Sequence, residues 1–321
     1  MTLNRHEFEQ AAKHFRAGRL TLKDFSDQLF PKSETAPPAS DASDPQTASP
    51  AVPKLPQRKI DAHKGDFGRM LAIGGCRTMP GAIGLTAMAA LRTGSGLVVV
   101  ATPYEAAPVV AGYSPCYITE GYEVGDALAR IAERIEWADV IALGPGIRME
   151  PPTISMVRQL YKTASQPIVV DADALNCLDS TRDGLKTHKG QRILTPHPGE
   201  FRRLTGSSTT SREEAEQTTR QLAADNDIVV LLKGAGTFVT DGQNTARNET
   251  GNPGMATGGS GDVLTGMIAS LIGQGLSPFD AARLAAHVHG HAGDLAAAEL
   301  GQASLIASDL LEFLPAALKL A

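Results

Sequence analysis

NPGMATGGSGDVLTG, residues 252–266, sets five glycines around a single carboxylate, Asp262. In regular structure each glycine costs roughly 0.5–1 kcal/mol relative to alanine, so that much backbone freedom at one point needs a reason. Directly afterwards Val263, Leu264, Met267, Ile268, Leu271 and Ile272 recur at helical spacing, with Gly275 as the stop. A glycine-rich turn opening a helix leaves several backbone N–H groups unpaired and pointing one way. With the helix dipole behind them they form an anion site suited to phosphate. The plainer alternative is a flexible loop before a core helix, but such loops rarely end on an acid in the first helical turn.

Working outward, short apolar runs alternate with amphipathic helical stretches from about residue 57. The runs are RMLAIGG, GLVVVAT, ADVIALGPG, PIVVDADAL, QRILTPHPGE, DIVVLLKGAG and TFVTDG; the helical stretches include 82–93, 152–164, 213–225 and 278–299. Continuous β-branched runs alternating with helices predict an α/β domain whose central, mostly parallel sheet carries helices on both faces. In open sheets of this kind ligands bind beyond the carboxyl ends of the strands.

The residues at those ends are polar and glycine-rich. Gly74-Gly75 follows the first run and MPGA (79–82) then opens a helix. Pro145-Gly146 follows VIALG, and VVDADALN places Asp171, Asp173 and Asn176 at its end. His197 and Glu200 end ILTPHPGE; Lys233, Gly234, Ala235, Gly236 and Thr237 end the next run. Each has a bland alternative. Gly-Pro-Gly is often only a turn, the aspartates serve as caps, His197 bonds a backbone group, and Lys233 is a solvated strand end. Five such ends beside an anion-binding helix start favour a shared site.

The first 56 residues differ in character. Within residues 1–30, Phe8, Ala11, Ala12 and Phe15 share a helical face, and Leu22, Phe25 and Leu29 follow a break at Gly18, which predicts a helical hairpin. Residues 31–56 hold seven prolines among Ala, Ser, Thr and Asp and predict a disordered linker, leaving 57–321 as the folded domain. The 321 residues suffice for a sizeable core. A net charge of −5 gives no reason to expect a nucleic-acid or anionic-membrane partner. Cys76, Cys116 and Cys177 are scattered without metal-ligand spacing, and no apolar run is long enough to span a bilayer. Arg5, His6 and Glu7 stand where a signal peptide places apolar residues, so the cytoplasm is expected.

Taken in order, HKGDFGRMLAIGG, GLTAMAALRTGSGLV, ALGPG, VVDADALN, LTPHPGEF, LLKGAGT and GNPGMATGGSGDVLTGMIASLIGQGL resemble the ADP/ATP-dependent NAD(P)H-hydrate dehydratases over roughly residues 57–321. The resemblance implies a ribokinase-like fold, with Ala82, Gly146 and His197 contacting a hydrated dinucleotide. It implies that residues 233–237 and Gly261 hold the adenine nucleotide, and that Asp262 contacts substrate near the reacting carbon. Mg²⁺, ADP or ATP as phosphoryl donor, hydrated NADH and NADPH as substrates and a homotetramer are implied with it. Many bacterial relatives also carry an N-terminal epimerase domain, which 56 residues are too short to hold. The chain departs from the pattern at Met79-Pro80, where relatives often carry an aromatic residue and Thr, which bears on the shape of the substrate pocket.

Chemistry accounts for the residue types. A nicotinamide ring that has gained water loses hydroxide slowly, and phosphorylating the hydroxyl makes a good leaving group. A carboxylate beside the hydroxyl to take or orient its proton contributes roughly 10²–10⁴-fold, and backbone donors steady the phosphoryl oxygens in flight. N–H groups over residues 258–261 and the Asp262 carboxylate supply both. The helix N-terminus favours ionised Asp262, which predicts a weak base acting through proximity. Asp171, Asp173 and Glu200 are candidates for holding Mg²⁺. Two rivals stay open: a ribokinase-like kinase for a vitamin precursor or sugar, and a nucleotide-binding regulatory module without turnover.

Overall fold

Residues Arg69–Ile73 form the first strand, β1, and show how the sheet is built. Successive side chains point to opposite faces. Met70 and Ala72 enter one core, Leu71 and Ile73 the other, and all four are fully buried. A strand covered on both faces has no position for a polar residue, which is why the runs are continuously apolar.

The computed structural model describes residues 51–55, 57–178, 184–207 and 211–321. The expected hairpin and all of the expected linker except 51–55 lie outside the described residues. After β1 come α1 (Pro80–Thr93), β2 (Leu97–Pro103), α2 (Ala107–Tyr113), β3 (Ile118–Tyr122), α3 (Ala127–Arg130), α4 (Ala132–Trp137) and β4 (Val140–Leu143). Next are α5 (Pro151–Thr163), β5 (Ile168–Val170), α6 (Asp173–Cys177), β6 (Arg192–Leu194), α7 (Pro198–Thr205), α8 (Arg212–Asn226) and β7 (Val229–Leu232). The chain closes with β8 (Phe238–Thr240), β9 (Thr245–Arg247), α9 (Ser260–Gly273), α10 (Pro278–Leu300) and α11 (Ala307–Leu318).

Among the described residues these strands make one nine-stranded sheet, ordered β3-β2-β1-β4-β5-β6-β7-β8-β9. The first seven strands are mutually parallel, and β8 and β9 are antiparallel. One face packs on α1, α2 and α9 to α11, the other on α3 and α5 to α8. No helix of the described residues is long and apolar enough to cross a membrane. The expected mostly parallel sheet with helices on both faces is thus observed, and all seven apolar runs are strands. The strands β3 and β9 were not anticipated. Both lie at sheet edges, where only Tyr122 of β3 and Ala246 of β9 are buried, so no apolar run marks them.

Strand order reverses between β1 and β4, since the chain steps one way from β1 to β3 and the other way from β4. Such a switch point leaves a crevice beyond the carboxyl ends of the two central strands. Close packing then aims α9 at that crevice. A Cβ on Gly266 would lie 2.1 Å from the Thr86 carbonyl, so only glycine lets α9 approach α1 this closely. Thr86 Oγ1 also donates to the Asp262 carbonyl at 3.0 Å, joining α1 to the first turn of α9. Gly266→Ala is expected to force the two helices apart and destabilise the fold by roughly 1–3 kcal/mol, read as a lower midpoint in urea.

Candidate functional site

Gly259 caps α9 with φ 94, a left-handed conformation that L side chains rarely adopt, and Asp262 is the third residue of the helix. The N–H groups of Gly258, Gly259, Gly261 and Asp262 find no acceptor among the described residues. They are the orphan donors of the helix start, gathered at one point. The predicted stop is also found: Gly275 has φ 98 and donates to the Ile272 carbonyl at 2.9 Å.

Beneath this turn lies Asp171, first residue after β5 and 1% exposed. Its Oδ1 accepts from Lys233 Nζ at 2.6 Å and its Oδ2 from Thr265 Oγ1 at 2.7 Å. Lys233 directly follows β7, so two strand ends with β6 between them supply the pair, and α9 supplies the third partner, one turn after Asp262. A buried carboxylate needs such partners. Asp171 therefore does not cap a helix, and Lys233 is not a solvated strand end. A Cβ on Gly261 would stand 3.1 Å from Lys233 Nζ, so the glycine lies against the ammonium. Gly261→Val is expected to push Lys233 off Asp171 and to weaken adenine-nucleotide binding by about 10-fold or more, measured by calorimetric titration.

The electrostatics reverse one expectation. The Asp262 carboxyl is not a weak base: burial, with Asp171 and then Glu200 adding to it against Lys233, pushes it up to about 7. The helix N-terminus does favour ionisation, but neighbouring negative charge in a partly dry setting opposes it. Burial alone would lower the Lys233 ammonium, yet Asp171, Glu200 and Asp262 together hold it above the ordinary lysine value.

The remaining candidates fall around this centre. Gly146, at φ 70, sits where a Cβ would meet the Met79 carbonyl at 2.6 Å and Ala82 Cβ at 3.1 Å. The loop after β4 and the start of α1 are thereby brought together. His197 caps α7: its Nδ1 accepts from Gly199 N at 2.9 Å, and Glu200 Oε2 accepts from His197 N at 2.8 Å. The bland alternative holds for that nitrogen, while Nε2 stands 3.4 Å from Glu200 Oε1 on a half-exposed ring. In the loop after β7, Gly234 and Gly236 have positive φ and Thr237 Oγ1 donates to the Gly234 carbonyl at 3.1 Å.

Three features escaped the sequence reading. Thr265 gave only its position one turn from Asp262. His289 is buried behind the turn, where Nε2 lies 3.0 Å from the Ser260 carbonyl, and burial lowers it to about 4. Ala172 follows Asp171 at φ 51, ψ −132, a strained conformation for a residue with a Cβ. Nothing in an alanine codes for that; the Asp171 carbonyl beside it packs against Gly144, where a Cβ would come within 1.9 Å.

Comparison with known proteins bears on family and fold. A family profile for NAD(P)H-hydrate dehydratase matches residues 70–316. The bifunctional NAD(P)H-hydrate repair enzyme Nnr of Moorella thermoacetica is 44% identical over 283 residues, covering 85% of this chain and 53% of that protein. The chain thus spans about half the length of the curated relatives it matches. An ADP/ATP-dependent NAD(P)H-hydrate dehydratase from Bacillus subtilis, co-crystallised with ATP/Mg²⁺, superposes with a TM-score of 0.73 at 30% identity, covering 83% of this chain and 94% of that one. A ribokinase-like superfamily protein from Enterococcus faecalis gives 0.72 at 26% identity, covering 83% and 91%. A ribokinase-like sheet, a glycine turn over a buried Lys–Asp pair, and a profile match through both lead to one assignment: the chain belongs to the NAD(P)H-hydrate dehydratase family.

Proposed function

We propose that the chain returns the hydrated cofactors NADHX and NADPHX to NADH and NADPH, using ADP or ATP as phosphoryl donor. The observation that carries the reading is the meeting of unpartnered N–H groups and a carboxylate raised to about 7 at the first turn of α9. A phosphate needs the first and a hydroxyl nucleophile needs the second.

In this reading the N–H groups of Gly258, Gly259, Gly261 and Asp262 hold the phosphoryl oxygens, and Lys233 balances their charge from below. Asp262 takes the proton of the substrate hydroxyl as its oxygen bonds to phosphorus and the nucleotide leaves. The ring nitrogen lone pair then expels phosphate, and loss of a proton from the neighbouring carbon restores the dihydronicotinamide. Ala82 and Gly146 would shape the pocket for the ring and His197 would meet the dinucleotide. Residues 233–237 would hold the nucleotide.

The carboxylates near the turn would hold a cation only together with the nucleotide. Among the described residues no three His, Cys, Asp or Glu cluster as a metal cage, and both Asp171 oxygens are engaged. Asp173 Oδ1 accepts from Asn176 and Glu200 Oε2 from His197 N, which leaves Asp173 and Glu200 as the residues that would hold the cation. Mg²⁺ bound there would neutralise charge between phosphate oxygens. A cytoplasmic setting and the implied homotetramer belong to the same proposal, and sedimentation would read the latter.

The test follows absorbance at 340 nm and free phosphate together, with hydrated NADH, Mg²⁺ and each nucleotide. The two should rise in parallel, and nucleotide alone should release little phosphate. Phosphate without absorbance, or faster stable phosphorylation of a vitamin-precursor alcohol, would replace the repair reading with a kinase.

A further inference from the structure

Arg212 is the first residue of α8 and lines a cavity of about 410 Å³ with Phe201, Ala215 and the loop after β7. Its guanidinium donates to two carbonyls of that loop, those of Ala235 and Gly236. Its Nε donates to Glu216 Oε1 at 2.9 Å. Glu216, buried one turn along α8, also accepts through Oε2 from Arg247 Nε at 3.2 Å and from Arg247 Nη2. A carboxylate thus sits between two guanidinium groups and fixes one of them against the loop. Gly236 suits this place. Its φ is +68, and a Cβ would stand 2.7 Å from Arg212 Nη2.

A peptide's N–H points opposite to its carbonyl. With the Ala235 and Gly236 carbonyls turned to Arg212, the N–H groups of Gly236 and Thr237 point away from α8. Neither finds an acceptor among the described residues. Lys233, which begins the same loop, extends its ammonium to the first turn of α9. The loop therefore shows carbonyls to one side and unused donors to the other. A flip of either peptide would present a carbonyl dipole where a donor now stands.

We propose that Arg212 is a positioning residue for the nucleotide: held by Glu216, it locks two loop peptides so that the Gly236 and Thr237 N–H groups receive a phosphate oxygen. The proposal rests on the nucleotide-dependent reading above. Arg212 acts through the backbone, so its planar fork matters more than its charge, and lysine cannot hold both carbonyls in the same way.

The test uses the full chain and the variants Arg212→Met, Arg212→Lys and Glu216→Gln, with ADP and ATP affinity measured by calorimetric titration and KM for each substrate measured separately. Arg212→Met is expected to weaken ADP binding by about 10-fold or more, Arg212→Lys to restore little of it, and Glu216→Gln to fall between. The KM for nucleotide should rise while that for the hydrated dinucleotide moves by less than about threefold. ADP affinity within about twofold of the parent in a cooperatively melting Arg212→Met protein overturns the proposal, as does an equal rise in both KM values. If Arg212→Met does not fold, unchanged affinity in Glu216→Gln overturns it. A parent chain that binds ADP without repairing hydrate refutes the repair reading alone, and the variant affinities still decide the role of Arg212. A parent that binds neither nucleotide overturns both.

Discussion

Asp262→Asn is expected to slow hydrate repair at least ~10²-fold while leaving nucleotide affinity nearly intact, in line with the loss of a positioned base. The amide keeps the size of the side chain and removes its proton acceptor. Two further readouts follow from the carboxyl being pushed up to about 7. First, kcat/KM of the parent should rise with pH through an apparent pKa near 7, as Asp262 loses its proton. Second, a carboxyl whose folded pKa lies above its unfolded value is protonated more readily in the native state. Its ionisation opposes folding, an effect absent at low pH and complete once pH exceeds the folded value. At pH 8 the variant should therefore melt above the parent, whereas near pH 4 the two should converge. Turnover near the parent's would remove Asp262 from the chemistry.

The second large effect lies at the opposite end of the strands. Arg192, 1% exposed, begins β6 and donates five hydrogen bonds, all to carbonyls, at 2.6–2.9 Å. Tyr161 and Ala164, at the end of α5, and Gln166 and Gln191 accept them. Among the described residues no carboxylate pairs with it, and burial lowers the guanidinium to about 10. The positive charge is held by the carbonyl end of a helix, where the dipole is negative. Arg192→Met would fill much of the volume yet leave those carbonyls buried and unpaired, at a cost of roughly 3–5 kcal/mol. The expected result is a clear fall in the urea midpoint with an unchanged KM for either substrate. A loss below about 1 kcal/mol would show that the carbonyls find other donors.

Much of this fold could be read in advance because a two-sided parallel sheet writes itself as apolar runs. The strand ends also announced where the glycines and charged groups of the candidate site gather. The site's pairings were another matter. Asp171 and Lys233 are 62 residues apart, and only the β5-β6-β7 order makes them neighbours. The Asp262 expectation failed because a sequence shows the helix start that favours ionisation but neither the burial of the carboxyl nor the second carboxylate near it. Glu216 meets Arg247 across 31 residues, and Arg212 gave no sign beyond ordinary helical spacing, since its loop targets are carbonyls, which every residue carries. Arg192 was invisible for the same reason.

The contact between α1 and α9 works as a spacer. One helix begins beside Ala82 and the other beside Asp262, and Gly266 with Thr86 lets neither slide past the other. In the proposed reaction the distance between hydroxyl and phosphorus is then a dimension of the scaffold, cut before either ligand arrives. A displacement of about 1 Å in such an arrangement can cost as much as ~10² in rate. A methyl group added at this buried seam would be felt in turnover before it was felt in nucleotide affinity, although it touches neither ligand.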